Sequence, residues 1–305
     1  MLLFAGFFSY FADIKYQRAI KSKQRAMDSL DLFATEQTVL YAFATNPVRR
    51  NGIVLGDGDS GEFIRLDGTP YQGFGSVVFQ VNDYAGLVGL NSSNNYHLER
   101  LLTKFESSAI RRDGLLYALY DYTDADDEPM IGGKEAPAYR VAKLPPPSNS
   151  YLRSPVELEA VIGWEAWLKE NSEFDRDWLS SNWRSRINLN TVPEELFLKV
   201  LDLPDRESER LLNRRRAKVF GNMEDVQQVL NFAAELNEDY FTFLPANEIR
   251  IRIYSKNRQR VNTSAIRFTP FRLSSAWEVN YRYQSEIDFE PGKPARVVAQ
   301  NLFSR

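Results

Sequence analysis

The hydrophobic pattern at the start of the chain predicts a single long helix. Residues 1–12 are almost entirely apolar, and apolar side chains then recur at helix-compatible spacing until Asn46 and Pro47 interrupt them. The residues that continue the pattern are Ile14, Ala19, Ile20, Met27, Leu30, Phe33, Val39, Leu40 and Phe43. The middle of this helix is basic, with Lys15, Arg18, Lys21, Lys23 and Arg25.

The apolar run is short for a membrane span, because a crossing helix needs about 20 apolar residues. No basic segment precedes the run and no small-residue cleavage site follows it, so the pattern is not that of a signal peptide. Two interpretations remain open. The segment is either a buried N-terminal helix or the lower part of a membrane anchor whose upstream residues are missing from this chain.

Alternating apolar and polar residues predict two groups of strands. Residues 62–66 and 75–81 form the first group, with a turn at residues 68–70 between them. In the second group, residues 248–254 alternate strictly, and residues 265–269 and 277–283 alternate less strictly. Such patterns are typical of half-buried antiparallel strands.

The region between the two strand groups is mostly helical in pattern. In one of its predicted helices, Ser154 is the expected cap, Pro155 the first helical residue and Glu157 the partner in a capping box. The predicted helices cover residues 98–110, 115–122, 154–162, 194–201, 206–217 and 223–234.

This order of elements predicts an α+β fold with an insertion. Residues 1–45 form the N-terminal helix, residues 46–92 and 241–305 contribute an antiparallel sheet, and residues 93–240 form an inserted all-α domain. The alternative is a chain of three consecutive small units, each of which would have a thin hydrophobic core.

The composition excludes several kinds of site. The 305 residues include no cysteine, so disulfides, thiol catalysis and cysteine-ligated zinc are excluded. We expect the one histidine, His97, to be a surface or structural residue. The net charge of −3 does not predict a nucleic-acid partner. The sequence has neither the G-x-S-x-G nor the H-E-x-x-H motif of hydrolases.

A helix-turn-helix pattern occupies residues 187–216, where Thr191 is the expected cap of the helix that Pro193 begins. It resembles a helix-hairpin-helix, or sterile-alpha-motif-like, unit. DNA-binding versions have a glycine-rich hairpin that meets phosphates, whereas residues 203–208 lack glycine and carry two acids. We expect the basic residues 214–216 to be a solvated helix end. A helix-hairpin-helix DNA-binding protein of competence type is the alternative function.

An acidic loop at residues 121–135 is the strongest candidate for a site. Carboxylates packed this closely repel one another unless a cation lies among them, and oxygen-only ligands favour Ca²⁺. The loop is not an EF-hand, because Pro129 occupies the position that needs glycine. An irregular Ca²⁺ loop and a solvated acidic loop both remain open. The loop carries a single cation, Lys134, against Asp121, Asp124, Asp126, Asp127, Glu128 and Glu135.

Read in order, several segments of the chain resemble the minor pseudopilin K of type II secretion systems, also called general secretion pathway protein K. The resemblance covers residues 81–231, and the strand-rich flanks agree with it. The sequence departs from the family at Gly89 and in the hairpin at residues 203–206, and no basic leader precedes Met1. The matching segments are residues 83–91, 121–135, 138–140, 154–163 and 187–193.

The resemblance implies a pilin-like fold and a non-enzymatic protein. It implies a single-pass protein of the bacterial inner membrane, anchored by its N-terminal helix, with the globular part in the periplasm. Such a protein sits at the pseudopilus tip with minor pseudopilins I and J above the major subunit, where it initiates and caps assembly for protein export across the outer membrane. Ca²⁺ binding in the helical domain is also implied, with Asp121, Asp124, Asp126, Asp127 and Glu135 as the candidate ligands.

Overall fold

The chain begins with one long helix, as its sequence predicts. In the computed structural model, α1 spans Leu2–Thr45, which corresponds to a length of about 66 Å. The structure describes residues 2–55, 62–201, 203–230, 236–255, 260–270, 272, 275–286 and 303, with only the backbone described for residues 2–9 and 62. In this part of the chain, none of the helices combines enough length with enough apolar character to cross a membrane.

Only the second half of α1 packs on the rest of the molecule. Between Tyr10 and Met27 nearly every side chain is exposed. From Leu32 onward, α1 buries Val39, Leu40 and Phe43 against a sheet. The helix ends where Asn46 donates from its backbone and from its side chain to the carbonyl of Ala42, just before Pro47.

A five-stranded antiparallel sheet lies against this half of α1. Its strand order is β12–β11–β10–β5–β4, and a smaller antiparallel sheet consists of β1, β2 and β3. Two short parallel pairs, β6 with β7 and β8 with β9, lie outside these sheets. The strands are β1 Val48–Arg49, β2 Gly52–Leu55, β3 Glu62–Arg65, β4 Asp67–Gln72, β5 Val77–Asp83, β6 Val88–Gly89, β7 Leu179–Ser180, β8 Ile187–Asn188, β9 Phe241–Thr242, β10 Glu248–Ser255, β11 Arg260–Phe268 and β12 Trp277–Glu286.

All the later helices in the described residues lie between two neighbouring strands of the large sheet. Strands β5 and β10 pair directly, with Val77 opposite Ser255 and Asp83 opposite Ile249. We call the segment between these strands the insert. Its helices are α2 Tyr96–Thr103, α3 Ala109–Thr123, α4 Ala136–Ala142, α5 Trp164–Glu170, α6 Glu194–Val200, α7 Asp205–Ala217 and α8 Met223–Leu230.

The insert has a hydrophobic core separate from the core between α1 and the sheet. Four aromatic residues from α5 and the following turn, Trp164, Trp167, Phe174 and Trp178, pack edge to face in succession. His97 lies at the edge of this core and contacts the carbonyl of Tyr240 through Nε2 at 2.8 Å. Burial lowers the pKa of His97 to about 4, so the ring is neutral at physiological pH.

Several predicted elements differ from the observed ones. The single helix predicted over residues 98–110 is interrupted: α2 ends at Thr103 and α3 begins at Ala109. The chain turns between them, where the Glu106 carboxylate accepts a hydrogen bond from Ser108 N. The helix predicted over residues 154–162 is a 3₁₀ helix, Pro155–Ala160. Ser154 does not cap it through its side chain, and Glu157 accepts from Arg153 N instead.

Other predicted boundaries shift for local reasons. The turn predicted at residues 68–70 is part of β4, where Pro70 is tolerated because β4 is an edge strand and the register shifts beside it. The last four residues of the helix predicted at 223–234 lie outside the described residues. Thr191 does not cap α6 either, since it is fully buried and donates its hydroxyl to Asp83.

The expectation that residues 214–216 form a solvated helix end is wrong for Arg215, whereas Arg216 is exposed in the last turn of α7. Arg215 is buried and donates to the carbonyls of Leu189 and Val192, at 3.2 and 2.6 Å, over the ring of Phe197. Burial lowers its pKa to about 10. Arg216 forms a two-pronged ion pair with Glu194.

The insert is joined to the sheet by the carboxylate of Asp83, the last residue of β5. This side chain is fully buried and accepts four hydrogen bonds. The donors are Ala85 N at 3.0 Å, Asn188 Nδ2 at 2.9 Å, Thr191 Oγ1 at 2.7 Å and Ala246 N at 2.8 Å. Burial raises the pKa of Asp83, whereas the four donors oppose that rise by favouring the ionised carboxylate.

A buried arginine reinforces the same junction from β10. Arg250 donates to the carbonyl of Leu179 at 3.0 Å and to the Asn82 side chain at 3.3 Å, and it also bonds the carbonyl of Asp177. Both strands that border the insert therefore carry a buried charged residue that bonds into it.

We predict that Asp83→Asn destabilises the whole molecule. The amide has one oxygen for four donors and adds two N–H groups that face them, so we expect a loss of about 3 kcal/mol in the free energy of unfolding. Urea denaturation, monitored by fluorescence, measures this loss in the free energy of unfolding. Asp113→Asn, at an exposed site on α3, is the matched control. Equal unfolding midpoints for the two variants would contradict the role of Asp83.

Candidate metal centre

Three acidic side chains meet where α3 ends and α4 begins. Asp121 lies in the last turn of α3, Asp124 follows the end of that helix, and Glu135 precedes the first residue of α4. One carboxylate oxygen from each lies within 4.8 Å of the other two. Asp121 and Glu135 are buried, at 0% and 4% exposure.

The oxygens of this cluster are short of partners. Asp121 Oδ2, Asp124 Oδ1 and both carboxylate oxygens of Glu135 are buried and accept no hydrogen bond. Burial raises the pKa of Asp124, and the neighbouring charges of Asp126 and Asp121 raise it further. Burial likewise raises the pKa of Glu135, and the charges of Asp121 and Asp124 raise it further.

The position of the cluster on α3 adds to the repulsion. The C-terminal end of a helix carries a partial negative charge, which disfavours carboxylates such as Asp121 and Asp124. A cation among the oxygens would offset the burial, the mutual repulsion and the helix end together. A donor set made only of oxygens suits Ca²⁺, so these residues fit the ion that the sequence predicts.

The loop between the helices is folded tightly over the cluster. Met130 N donates to Asp121 Oδ1 at 3.1 Å, and Gly133 N donates back to the Met130 carbonyl at 2.7 Å. A Cβ atom on Gly133 would stand 2.0 Å from Asp121 Oδ2, and Gly132 has a φ of +84°. Both glycines are therefore required by the shape of the loop.

The other two predicted ligands lie at the exposed rim of the loop. Asp126 Oδ1 accepts from Glu128 N at 2.9 Å, and Asp127 Oδ1 accepts from Asn149 Nδ2 at 3.2 Å. Their charges still reach the cluster, because both raise the pKa of Asp124. The structure brings three of the five predicted residues together, and the role of the other two as ligands stays a prediction.

The sequence did not indicate a role for Asn149, which contacts the acidic loop from a later segment of the chain. Its backbone has a φ of +45°, its Nδ2 also contacts the Asp126 carbonyl at 3.3 Å, and its Oδ1 is buried without a partner. The only local signal is an asparagine soon after Pro145–Pro147, a position typical of turns. No spacing rule connects it with the acidic residues.

The fold defines a class of protein: a long N-terminal helix on an antiparallel sheet, with a helical segment inserted between two paired strands. Residues 80–171, which include the candidate metal centre, match the family model of type II secretion system protein K. Over these residues the match supports the family that the sequence motifs indicate, the type II secretion minor pseudopilin K.

A solved structure has a similar fold. The fold is similar to a chain in the crystal structure of the GspK–GspI–GspJ complex from the type 2 secretion system of enterotoxigenic Escherichia coli, with a TM-score of 0.56 and 16% sequence identity. The similarity covers 90% of this chain and 98% of that chain. No curated protein sequence matches the chain.

We predict that Gly133→Ala disrupts the loop, because the added methyl group collides with the Asp121 carboxylate. We expect a loss of about 1–3 kcal/mol in stability, measured by thermal unfolding. Gly114→Ala is the matched control: Gly114 is inside α3 with open space around it, so alanine there is neutral or stabilising by up to about 1 kcal/mol. A Gly133 variant as stable as the wild type would refute the close packing.

Proposed function

We propose that this chain is a non-enzymatic minor pseudopilin that sits at the tip of a type II secretion pseudopilus, where it initiates and caps assembly for protein export across the outer membrane. Proteins of this family are structural, which supports a role without catalysis. The observation that carries the proposal is the exposed face of α1.

This exposed face has the spacing of a helix-packing surface. Large apolar side chains recur along it at intervals of three, four, seven and eleven residues, each of which returns to nearly the same face of a helix. They are 41–64% exposed, although such side chains are usually covered in an assembled protein. We call Tyr16, Ile20, Met27, Leu30 and Tyr41 the outer seam. It offers a surface for the helices of neighbouring pseudopilins.

The position of the insert supports capping. Ten residues before the end of α1, Thr35 Oγ1 accepts a hydrogen bond from Phe74 N, just before β5 begins. At the other end of the sheet, Phe43 stacks on Phe268, and Arg50 donates to the Gly221 carbonyl in the insert. The insert therefore lies beyond the C-terminal end of α1, far from its free half, where it would obstruct the addition of a subunit above.

The expected partners are the minor pseudopilins of types I and J, and then the major pseudopilin. The matched solved structure is itself a complex of GspK with GspI and GspJ. Inner-membrane anchoring through α1, a periplasmic globular part, and a helix-hairpin-helix, sterile-alpha-motif-like unit at α6 and α7 belong to the same proposal.

We predict that the full chain captures I- and J-type pseudopilins in a pull-down and that Ile20→Glu with Leu30→Glu abolishes the capture. A charge in the outer seam would be buried without a partner against the neighbouring helix. Ile110→Glu with Ile131→Glu is the control, since these isoleucines are 85% and 94% exposed on the insert. Failure of the unmodified chain to capture either partner would refute the proposed function.

The acidic cluster is proposed as a structural Ca²⁺ site. Asp121, Asp124 and Glu135 supply the inner oxygens, and Asp126 and Asp127 lie at the rim. Its unpartnered buried oxygens are the support for this proposal. When bound, the cation would hold the end of α3 to the start of α4 and neutralise the repulsion between the carboxylates.

We predict that Ca²⁺ binds with measurable heat and raises the melting temperature, by an amount corresponding to about 2.7 kcal/mol at a hundredfold excess over the dissociation constant. Asp121→Asn and Glu135→Gln should each weaken binding strongly. Glu128→Gln, in the exposed part of the loop, is the control. Calorimetry without heat, together with a melting temperature unaffected by chelator, would refute the site.

The competence-type alternative gains no support from the geometry. DNA binding through residues 214–216 needs cations that can reach phosphates. Arg215 instead bonds buried carbonyls, and Arg216 is paired with Glu194.

A further inference from the structure

A groove on the surface of the insert is open to solvent and mostly apolar. It has a volume of about 760 Å³ and lies between α3, the acidic loop and α5. Helix α3 contributes Ile110, Gly114 and Tyr117, the loop contributes Ile131, and α5 contributes Trp167. We call this cavity the insert groove. Its volume is in the range of sites that hold a small molecule or a few side chains of a partner.

Two walls of the insert groove carry isoleucines that are almost fully exposed. Ile110 on α3 is 85% exposed and Ile131 in the loop is 94% exposed, although both line the cavity. A small molecule inside the groove would contact only their inner sides, whereas a protein segment can cover both side chains. Because exposed apolar surface of this kind is typical of interaction sites, the isoleucines favour a macromolecular occupant.

The α3 wall contains a glycine that the fold itself does not require. Gly114 lies inside α3, where glycine stabilises a helix less than alanine does. A Cβ atom on Gly114 would meet nothing within 4 Å, so packing does not explain the glycine. Gly132 and Gly163, which also line the groove, differ from it because their positive φ angles require glycine. The missing side chain at Gly114 leaves room for an occupant to approach the backbone of α3 closely.

The insert groove also borders a hydrogen-bond donor that lacks an acceptor. Trp167 is only 2% exposed, and its indole N–H has no partner in the part of the chain that the structure describes. Buried donors without a partner are uncommon in a complete protein interior. This donor is a second, independent sign that the surface between α3 and α5 is incomplete in the isolated chain.

The two cations that line the groove are already offset by acidic residues. Arg111 pairs with two glutamates, Glu106 at 3.2 Å and Glu170 at 2.6 Å. Lys134 lines the groove together with one carboxylate, that of Asp113. The walls themselves therefore carry little net charge.

The loop beside the groove adds negative charge. Residues 126–128 are all acidic and exposed, and they lead directly into the wall that carries Ile131. Anionic lipid headgroups would be repelled by these carboxylates, whereas lysine and arginine side chains would be attracted. Charge complementarity therefore selects a protein segment with basic residues over a membrane surface.

We infer that the insert groove binds a segment of a partner protein that presents apolar side chains on one face and lysines or arginines beside them. Ile110 and Ile131 contact the apolar side chains, Gly114 lets the segment lie close to α3, and residues 126–128 attract its cations. None of the residues that line the groove belongs to α1. The inference therefore does not depend on the proposed capture of I- and J-type pseudopilins through the outer seam.

The test measures fluorescence anisotropy of labelled synthetic peptides mixed with the full chain. The first peptide is an amphipathic helix with leucines on one face and lysines at both ends. The second has glutamates in place of the lysines, and the third has serines in place of the leucines. Amide chemical shifts of the full chain with the first peptide locate the binding surface.

Two variants alter the groove in different ways. Ile110→Ser with Ile131→Ser removes apolar contacts, and Gly114→Leu fills the space beside α3 with a residue of higher helix propensity. Thermal unfolding checks the fold, and we expect the leucine variant to melt no lower than the wild type. The matched control is Val141→Ser with Leu244→Ser, since these side chains are 86% and 60% exposed and lie outside the groove.

We expect the lysine-flanked peptide to bind the wild type and the control alike and to shift the amide signals of Gly114 and Ile131. The isoleucine variant should bind it about a hundredfold more weakly, at about tenfold for each side chain, and Gly114→Leu should block it. The glutamate-flanked and serine-containing peptides should not bind. Equal affinity for the lysine- and glutamate-flanked peptides, or unchanged binding by Gly114→Leu, would overturn the inference.

Other occupants give different results. Dimerisation of the wild type that Gly114→Leu abolishes, measured by sedimentation equilibrium, would overturn the inference in favour of a second copy of the chain. Loss of I- and J-type capture in the isoleucine variant would also overturn it, because the groove would then belong to the filament interface. Loss of peptide binding with intact capture separates this inference from the proposed function, which the pull-down tests alone.

Discussion

The structure depends on one buried carboxylate at the point where the insert leaves the sheet. Asp83 ends β5 and accepts hydrogen bonds from the segment that follows it, from β8 and its turn, and from Ala246, just before β10 begins. Removing a carboxylate from water costs several kcal/mol, which only a complete set of donors can offset. These hydrogen bonds therefore fix two places together: the point where the chain leaves the sheet for the insert and the point where it returns to the sheet.

Two other buried charged side chains are also held by hydrogen bonds to distant segments of the chain. Arg250 and Arg215 both donate mainly to backbone carbonyls rather than to carboxylates, although Arg250 Nε and two nitrogens of Arg215 have no partner among the described residues. Carbonyls at the ends of short strands and turns have no partner within their own element, so a guanidinium that reaches several of them ties separate segments together. In a chain without cysteine, these contacts cross-link segments that are distant in sequence.

Features with a short repeat could be predicted from the sequence. The length of α1, the strict alternation in β10 and the crowding of acids after Tyr120 each have a period or a local density that a physical rule translates directly. Contacts over long separations could not be predicted. Nothing near Arg215 in sequence shows that Leu189 and Val192 present carbonyls to it, and nothing near Thr191 indicates a carboxylate from β5. Asn149 joins the acidic loop for the same reason, across 22 residues.

The insertion between two central strands constrains the order of folding. Strands β5 and β10 are paired inner strands of the sheet, yet Asp83 and Ala246 are separated by 163 residues. Closing so long a chain while it is disordered carries a large entropic cost and slows strand pairing. A folded insert brings its two ends together and turns this remote pair into the equivalent of a short hairpin. We therefore expect the sheet on which α1 packs to close faster once the insert has folded.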